Sequence, residues 1–310
     1  MSRIRAGRPA ICVLAPFLAA ASLAQPVVRT ADPIARGLKI SDFPRTIQVT
    51  ANVFTYEDFH AGPEKFTTTN MFVVTDEGVL VADGQGSAAE TKKLVDAIRT
   101  VTPQPIKYVV VCSDHGDHTA GNASFPAGVS YIIHPTSKAI LERSSTGWKP
   151  PASAMLVSKK HSITLGGEII DILFLGRAHT GGDLSVSLPR QKILFLSETF
   201  LNRVFPAMRT AYPSEWLKAL DRAEAMKADV YIAGHGFTEK GPVSNEEIRA
   251  YHRALGAVIA EATRLRRAGV PVEDAVKEAN WGEYASWTLA SSQGPIALRR
   301  VYAELNGELK

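Results

Sequence analysis

A cluster of histidine and aspartate residues follows directly on an apolar run in the first half of the chain. The run Val109–Cys112 is rich in β-branched residues, and His115, Asp117 and His118 follow it closely. This order is typical of a buried strand that ends in a loop and delivers side chains to a cavity. Imidazole nitrogens and carboxylate oxygens together suit zinc best, with iron or manganese as alternatives. The cluster therefore predicts a metal site; the simpler alternative, a polar loop with two ordinary histidines, does not account for the density of ligand types.

Three further candidate ligands follow predicted strands later in the chain. They are His179 in a glycine-rich loop, Glu198 after a short apolar run, and His235 between two glycines. In α/β chains, the ends of separate strands meet at one edge of a sheet, where ligands bind. The convergence of four strand ends on candidate ligands predicts one shared site. His60, by contrast, is isolated beside a predicted turn, and we expect it to face solvent rather than to bind a metal. The alternative is that the loop of His60 overhangs the metal cleft.

The order of the predicted elements places this site in an α/β domain. A hairpin of strands is followed by a strand–helix–strand unit, and further strands lead to His179 and Glu198. From residue 244 the chain becomes helical, so we predict a domain over residues 25–243 and a C-terminal helical extension, residues 244–310, packed on it. Within the extension, Trp281 and Trp287 either line the mouth of a substrate site or, more simply, bury the extension against the domain.

The first 24 residues have the composition of a secretory signal peptide. Arg3, Arg5 and Arg8 precede the apolar run Ile11–Leu23, and Ala24 supplies a small residue for cleavage. The run is short for a membrane span, although a retained N-terminal anchor is the alternative. We therefore predict a periplasmic or secreted protein with no stable membrane insertion after cleavage.

Charge and cysteine content limit the expected partners. The formal charge of +4 falls to +1 without residues 1–24, because this segment carries three arginines and no acidic residue. A chain so nearly neutral does not favour nucleic acid as a partner, so we expect a small-molecule substrate. A protein partner is not indicated by the sequence. Cys112 is then the sole cysteine, and its place at the end of an apolar run predicts a buried rather than a catalytic thiol.

With these motifs the chain resembles the metallo-β-lactamase-fold superfamily over residues 49–237. The motifs of that family are a His-x-His-x-Asp-His loop, a histidine beside glycines, an acid after a strand, and Gly-His-Gly. In this chain they read Ser113–His118, then His179, Glu198 and His235. The resemblance implies an αββα sandwich, in which two mixed sheets pack back to back between outer helices and metals bind in the cleft at the sheet edges.

The resemblance also assigns the ligands to two metal sites. Site one takes Ser113, His115 and His179, and site two takes Asp117, His118 and His235. Because Ser113 replaces the first histidine of the motif and a hydroxyl is a poor ligand beside imidazole, we expect site one to bind metal weakly and site two tightly. Glu198 stands in place of the usual bridging aspartate. Asp83, at the end of a predicted strand, resembles the acid that orients a ligand.

The implied activity is hydrolysis with one or two Zn²⁺ ions. Bound zinc lowers the pKa of its water toward about 7, and the resulting hydroxide attacks a carbonyl carbon. Asp117 is the candidate catalytic residue that orients the nucleophile and moves its proton. A β-lactam, lactone, ester or thioester would suit this chemistry. Two alternatives remain open: a periplasmic accessory protein of a quinoprotein or sulfur-oxidation system, and an iron enzyme similar to the persulfide dioxygenases.

Overall fold

The structure, a computed structural model, describes residues 28–60, 65–145 and 147–309. The predicted signal peptide, residues 1–24, lies outside the described residues, and its assignment stays a prediction. Within the described ranges, no helix combines the length and the apolar character needed to cross a membrane.

Strands dominate the first two thirds of the described chain, and helices make up the rest. The strands are β1 (Arg45–Gln48), β2 (Val53–Phe59), β3 (Thr67–Thr75), β4 (Gly78–Ala82), β5 (Ile106–Val111), β6 (Ser130–Ile133), β7 (Met155–Leu156), β8 (Lys160–Leu165), β9 (Glu168–Phe174), β10 (Leu184–Leu188), β11 (Ile193–Leu201) and β12 (Val230–His235). The α-helices are α1 (Ala88–Val101), α2 (Gly116–Thr119), α3 (Pro135–Arg143), α4 (Pro213–Ala225), α5 (Pro242–Arg267), α6 (Val272–Glu278) and α7 (Ala290–Leu305). Short 3-10 helices lie at Ile40–Asp42, Asn122–Ser124 and Gly282–Ser286.

The strands pair into one continuous sheet with two halves. The order is β7-β6-β5-β4-β3-β12-β11-β10-β9-β8, and β2 pairs with β3 and with β1. The two halves are joined where antiparallel β3 and β12 meet through the single pair Thr68 and His235. In one half β4, β5 and β6 run parallel, and in the other β11 and β12 do. A candidate ligand, His235, therefore lies where the halves join.

An apolar core lies between the two halves of the sheet. Val110 and Ile132 from one half and Ile172 and Phe195 from the other belong to the same cluster, and all four are fully buried. Strands that are buried on both faces carry continuous apolar runs instead of alternating ones. This explains why the sequence before the ligand cluster is a run of valines, because Val109–Val111 forms the end of β5 between β4 and β6.

Helices cover the outer face of each half. Leu94 of α1 packs with residues of β4 and β5 on one side. On the other side, Trp216 of α4, Tyr251 of α5 and Val301 of α7 form one buried cluster with Leu196 of β11. The layers are thus helix, sheet, sheet and helix, and the predicted αββα sandwich is confirmed.

The helical extension shares the core of the domain that precedes it. Its first helix, α5, begins at Pro242, beside the predicted boundary at residue 244. Tyr251 and Leu255 of α5 are fully buried in the same cluster as Trp216 of α4. A fully buried aliphatic side chain such as Leu255 contributes about 1.5–3 kcal/mol when it leaves water. The extension is therefore held firmly enough to support parts of the site.

Candidate metal centre

Two groups of candidate ligands converge at the edge of the sandwich. Asp117, His118, Glu198 and His235 form one group, and His115, His179 and Glu198 form the other. Within each group, one ligand atom of every residue lies within 4.8 Å of the others. We call these group two and group one, after the metal sites that the resemblance implies. Glu198 belongs to both groups, as a bridging carboxylate would.

Local structure after β5 presents the first ligands. His115 precedes α2, a single helical turn that carries Asp117 and His118. The sequence predicted a loop here, and the difference arises because four residues of helix leave little periodicity to detect. Asp114, the other acid of the motif, belongs to neither group.

The sequence predicted that Glu198 follows the end of a strand. The residue instead lies inside β11. The pairing with β12 shifts register on both sides of Ser197, and Ser197 has a φ of +48°. Such a bulge re-aims the next side chain, here the carboxylate of Glu198. Gly234 passes so close that an added Cβ would lie 2.6 Å from the carbonyl carbon of Ser197. The first glycine of Gly-His-Gly is therefore required by the bulge that positions the carboxylate shared by the two groups.

The ligand atoms of group one lie within contact of each other. His115 Nδ1 is 3.2 Å from Glu198 Oε2, and His179 Nε2 is 3.0 Å from Glu198 Oε1. The two imidazole nitrogens are 3.1 Å apart. Ser113 contacts this group through Glu198, because its hydroxyl donates a hydrogen bond to Oε2. The same hydroxyl accepts the backbone N–H of His115 at 3.2 Å.

Group two is equally compact. His118 Nε2 and His235 Nε2 are 3.3 Å apart. Asp117 Oδ2 is 3.2 Å from the His235 nitrogen and 3.6 Å from the His118 nitrogen. Glu198 Oε1 completes the group at 3.6 Å from His235 Nε2. Four donors of the types that zinc accepts therefore face one point.

The outer nitrogens of the two group-two imidazoles show that a cation fits between them. His235 Nδ1 is 3.0 Å from the carbonyl oxygen of Thr67, and His118 Nδ1 is 3.2 Å from Asp83 Oδ2. Both partners can only accept, so both outer nitrogens carry hydrogen. The inner nitrogens then present lone pairs to each other, an arrangement that requires a proton or a metal ion between them. This pattern of acceptors behind imidazoles is the one that orients metal ligands.

Asp83 ties several parts of this centre together. It is fully buried and accepts the backbone N–H of Cys112 at 2.7 Å. It also accepts the hydroxyl of Ser197 in the bulge and faces His118. The geometry agrees with the orienting role that the resemblance implies for Asp83, because one carboxylate joins the end of β5, the bulge and a candidate ligand.

The charged groups of the centre shift the pKa values of one another. Burial alone would raise the pKa of Glu198, but His179 and His115 outweigh it and hold that pKa well below its usual value. Burial would lower the pKa of His235, yet Asp117 and Glu198 raise it to about 10. For the same reason Glu198 raises the pKa of His115 to about 9 against the effect of burial. A metal that binds here must displace protons from these nitrogens.

A cavity of about 290 Å³ opens onto both groups. Its lining includes candidate ligands from both groups, together with Val204, Ala207 and Arg209 from the segment after β11, and Leu289 and Gln293 from the extension. Trp281 packs instead on Phe205, with ring centroids 5.4 Å apart, and neither Trp281 nor Trp287 lines the cavity. The simpler alternative for the two tryptophans, burial of the extension, therefore describes them better.

His60 lines the cavity, so the alternative that its loop overhangs the metal cleft describes it better than the solvent-facing position. Its Nε2 is 3.3 Å from Asp117 Oδ2, and its ring stacks on Phe66 with centroids 4.4 Å apart. The ring lines the cavity beside group two but is not part of either ligand group. No local motif surrounds His60 in the sequence, and only the pairing of β2 with β3 brings it to Asp117.

Comparison with known proteins identifies the family. The model of the Metallo-beta-lactamase superfamily matches residues 65–235, more than half of the chain, so this protein belongs to that superfamily. Metallo-beta-lactamase IND-1 of Chryseobacterium indologenes is 24% identical over 203 residues, which cover 64% of this chain and 84% of that protein.

Solved structures share the fold. A metallo-beta-lactamase from Pontibacter korlensis aligns with a TM-score of 0.60 at 21% identity, over 67% of this chain and 98% of its own. The inverting sec-alkylsulfatase Pisa1 from Pseudomonas sp. aligns with a TM-score of 0.66 at 16% identity, over 84% of this chain and 50% of its own. The part of the chain before residue 244 makes up less than 84% of the total, and the second match covers 84%. The likeness therefore continues into the helical extension.

Replacing Ser113 by histidine is expected to increase the metal bound per chain. The new imidazole would give group one a third nitrogen donor, as in the family motif, where the present hydroxyl is a weak ligand. Metal content after dialysis, measured by elemental analysis, tests this. Ser113→Ala is the matched control, since it removes the hydroxyl without adding a donor and should not raise the metal content. Equal content in the histidine variant and the wild type would mean that Ser113 does not limit binding.

Proposed function

We propose that this protein is an exported, zinc-dependent hydrolase that cleaves a small anionic substrate at a carbonyl centre. The observation that carries the proposal is the pair of inward nitrogens of His118 and His235, whose outer nitrogens are committed to Asp83 and Thr67. Two imidazole nitrogens that face each other require a proton or a metal ion between them, and hydrogen-bond acceptors behind both rings are the arrangement found for metal ligands. The candidate substrates are β-lactams, lactones, esters and thioesters.

Most of the site residues would bind the metal, and Asp117 would also move the proton. Asp117, His118, His235 and Glu198 would hold one zinc ion, and His115, His179 and Glu198 the weaker second one. Bound zinc would lower the pKa of its water from about 15.7 to about 7. Asp117 is the more accessible of the two carboxylates, since Glu198 is buried. It can therefore accept a proton from the nucleophile and pass it to the leaving group.

His60 would hold Asp117 ready for that proton. Its Nε2 lies 3.3 Å from Asp117 Oδ2, and stacking on Phe66 keeps the ring in place. The cavity of about 290 Å³ lies at the lower end of the size range for small-molecule sites. It suits a compact substrate better than a polymer.

Arg209 supports an anionic substrate. Its side chain lines the cavity and is exposed. Among the described residues it forms neither an ion pair nor a hydrogen bond, unlike Arg177, which pairs with Glu215. A guanidinium that faces a metal cavity without a protein anion is well placed to bind a substrate carboxylate or sulfate.

Hydrolysis of an alkyl sulfate is the second candidate. Two observations favour it: the unpaired Arg209, and the alkylsulfatase likeness over 84% of this chain. That likeness includes part of the extension, which supplies Leu289 and Gln293 to the cavity wall. A sulfate ester would place its charge where Arg209 lies.

A substrate panel tests the proposal. Purified protein should hydrolyse at least one cephalosporin, lactone, aryl ester, thioester or alkyl sulfate, lose the activity to dipicolinate, and regain it with zinc. Arg209→Met should raise KM for the anionic substrates about tenfold, which corresponds to one charge-assisted hydrogen bond, and leave kcat nearly unchanged. Arg190→Met is the matched control, because Arg190 contacts Gly167 on the outer hairpin.

The other outcomes separate the alternatives. Absence of chelator-sensitive turnover across the panel would contradict the proposal. Native protein that contains iron and oxidises a persulfide would select the dioxygenase alternative. Copurification with a redox partner, without hydrolysis, would select the accessory protein.

A further inference from the structure

We propose that the helical extension orients His115, and thereby sets the metal affinity of group one, through Arg300 and the hydroxyl of Thr210. The inference rests on the proposed function, since it assumes that group one binds metal. It adds two positioning residues that lie outside all of the ligand motifs. The argument starts from the outer nitrogen of His115.

The outer nitrogen of His115 contacts a different part of the fold from the outer nitrogens of the group-two histidines. In group two, the outer nitrogens face Asp83 and Thr67, which belong to the paired strands of the sandwich or their immediate ends. His115 Nε2 instead lies 2.9 Å from the hydroxyl oxygen of Thr210. Thr210 lies in the segment between β11 and α4, at a position outside any helix or strand.

The Thr210 hydroxyl fixes which nitrogen of His115 is free for a metal. A hydroxyl has one hydrogen to donate, and the structure directs it to the carbonyl oxygen of His179 at 3.2 Å. The hydroxyl must then accept from His115, so Nε2 carries the hydrogen. Nδ1, which faces Glu198 and His179, is left with its lone pair. One hydroxyl thus touches both imidazole-bearing residues of group one.

Helix α7 holds Thr210 in this position. Arg300 donates from Nη2 to the carbonyl oxygen of Thr210 at 3.1 Å and from Nε to the carbonyl oxygen of Ala211 at 2.5 Å. One turn later, Glu304 accepts the backbone N–H of Ser214 at 3.1 Å. The same face of α7 therefore binds the C-terminal end of the segment and the first turn of α4, and the rigid fork of a guanidinium is suited to two neighbouring carbonyls.

Group one depends on this support more than group two does. It has two imidazoles where the motif provides three, because Ser113 occupies the first position. Because group one has few donors, its metal affinity depends more strongly on the orientation of each donor. Removal of a partner behind a ligating histidine typically lowers metal affinity about 10–100-fold. The loss of the Thr210 hydroxyl should therefore appear at group one alone.

Zinc titration of the metal-free full-length protein against a chromophoric chelator tests the inference, with Co²⁺ absorption as a second readout. Thr210→Val removes the hydroxyl and keeps the shape, so the weaker binding step should weaken about 10–100-fold while the tighter step is unchanged. Thr210→Ser should restore the wild-type value. Arg300→Met should weaken the same step. Arg299→Met, the matched control on the outer face of α7 where Arg299 pairs with Glu273, should have no effect.

The inference is overturned if Thr210→Val and Arg300→Met titrate as the wild type does, or if both binding steps weaken together, as general loosening of the fold would cause. A thermal melt of each variant identifies unfolding, and Thr210→Ser then still reports on the hydroxyl. A wild-type protein that binds no zinc at all would instead overturn the proposed function.

Discussion

Asp117→Asn should lower kcat by about 10²–10⁴-fold on whichever substrate the wild type cleaves, because this is the usual contribution of a positioned general base. The amide keeps the shape of the carboxylate but cannot take a proton at neutral pH. It also removes the negative charge that faces His60, His118 and His235 within 3.6 Å, so zinc should bind more weakly as well. Steady-state kinetics at saturating zinc separate the two effects.

Asp114→Asn is the matched control for Asp117. Both acids belong to the same motif, and Asp114 is outside both ligand groups. Its variant should keep kcat within a few-fold of the wild type. Activity of Asp117→Asn at the level of Asp114→Asn, with zinc in excess, would remove Asp117 from the mechanism and leave it at most a ligand.

Asp83→Asn should destabilise the protein by about 3–5 kcal/mol, the cost of removing one partner from a buried charged pair. The carboxylate is fully buried, accepts hydrogen bonds from the Cys112 N–H and the Ser197 hydroxyl, and faces His118 Nδ1 at 3.2 Å. In the asparagine variant, the side-chain NH2 group would face one of these donors, so one hydrogen bond would be lost. The backbone at Asp83 has a φ of +64°, which asparagine tolerates well, so the loss reports the side chain alone.

Urea denaturation of the metal-free protein measures this loss, and the zinc affinity of group two should fall in parallel because His118 loses its orienting partner. Asp96→Asn on the exposed face of α1 is the control, since Asp96 pairs only with Lys92 and Arg99 at the surface. Wild-type stability and zinc affinity in Asp83→Asn would contradict the role of Asp83 as the link between the strand end, the bulge and the ligand.

The parts of the site that the sequence predicts are those encoded in short motifs at strand ends. His115, Asp117 and His118 lie within four residues of each other, His179 lies two residues before Gly181, and His235 stands between Gly234 and Gly236. Their order predicted one shared site in an α/β domain, and the resemblance to the metallo-β-lactamase-fold superfamily implied the sandwich. The pattern could not show that Glu198 lies within β11, because a bulge depends on the pairing of two strands and leaves only an indirect trace, Gly234.

The parts that the sequence does not predict depend on contacts between distant elements. His60 reaches Asp117 through strand pairing, and Thr210 reaches His115 from the segment between β11 and α4, which α7 contacts through Arg300. Arg209, Leu289 and Gln293 contribute to the cavity from regions with no motif at all. Surface loops and packed helices carry such residues without periodic signals, and their positions follow from the tertiary structure.

The most direct test of the central claim is an anomalous diffraction map, recorded at the zinc absorption edge from crystals of the full chain grown with zinc. We predict a strong peak bounded by Asp117, His118, Glu198 and His235, and a weaker one beside His115 and His179. Peaks only at histidines outside the cavity, such as His252, with none between His118 and His235, would contradict the account.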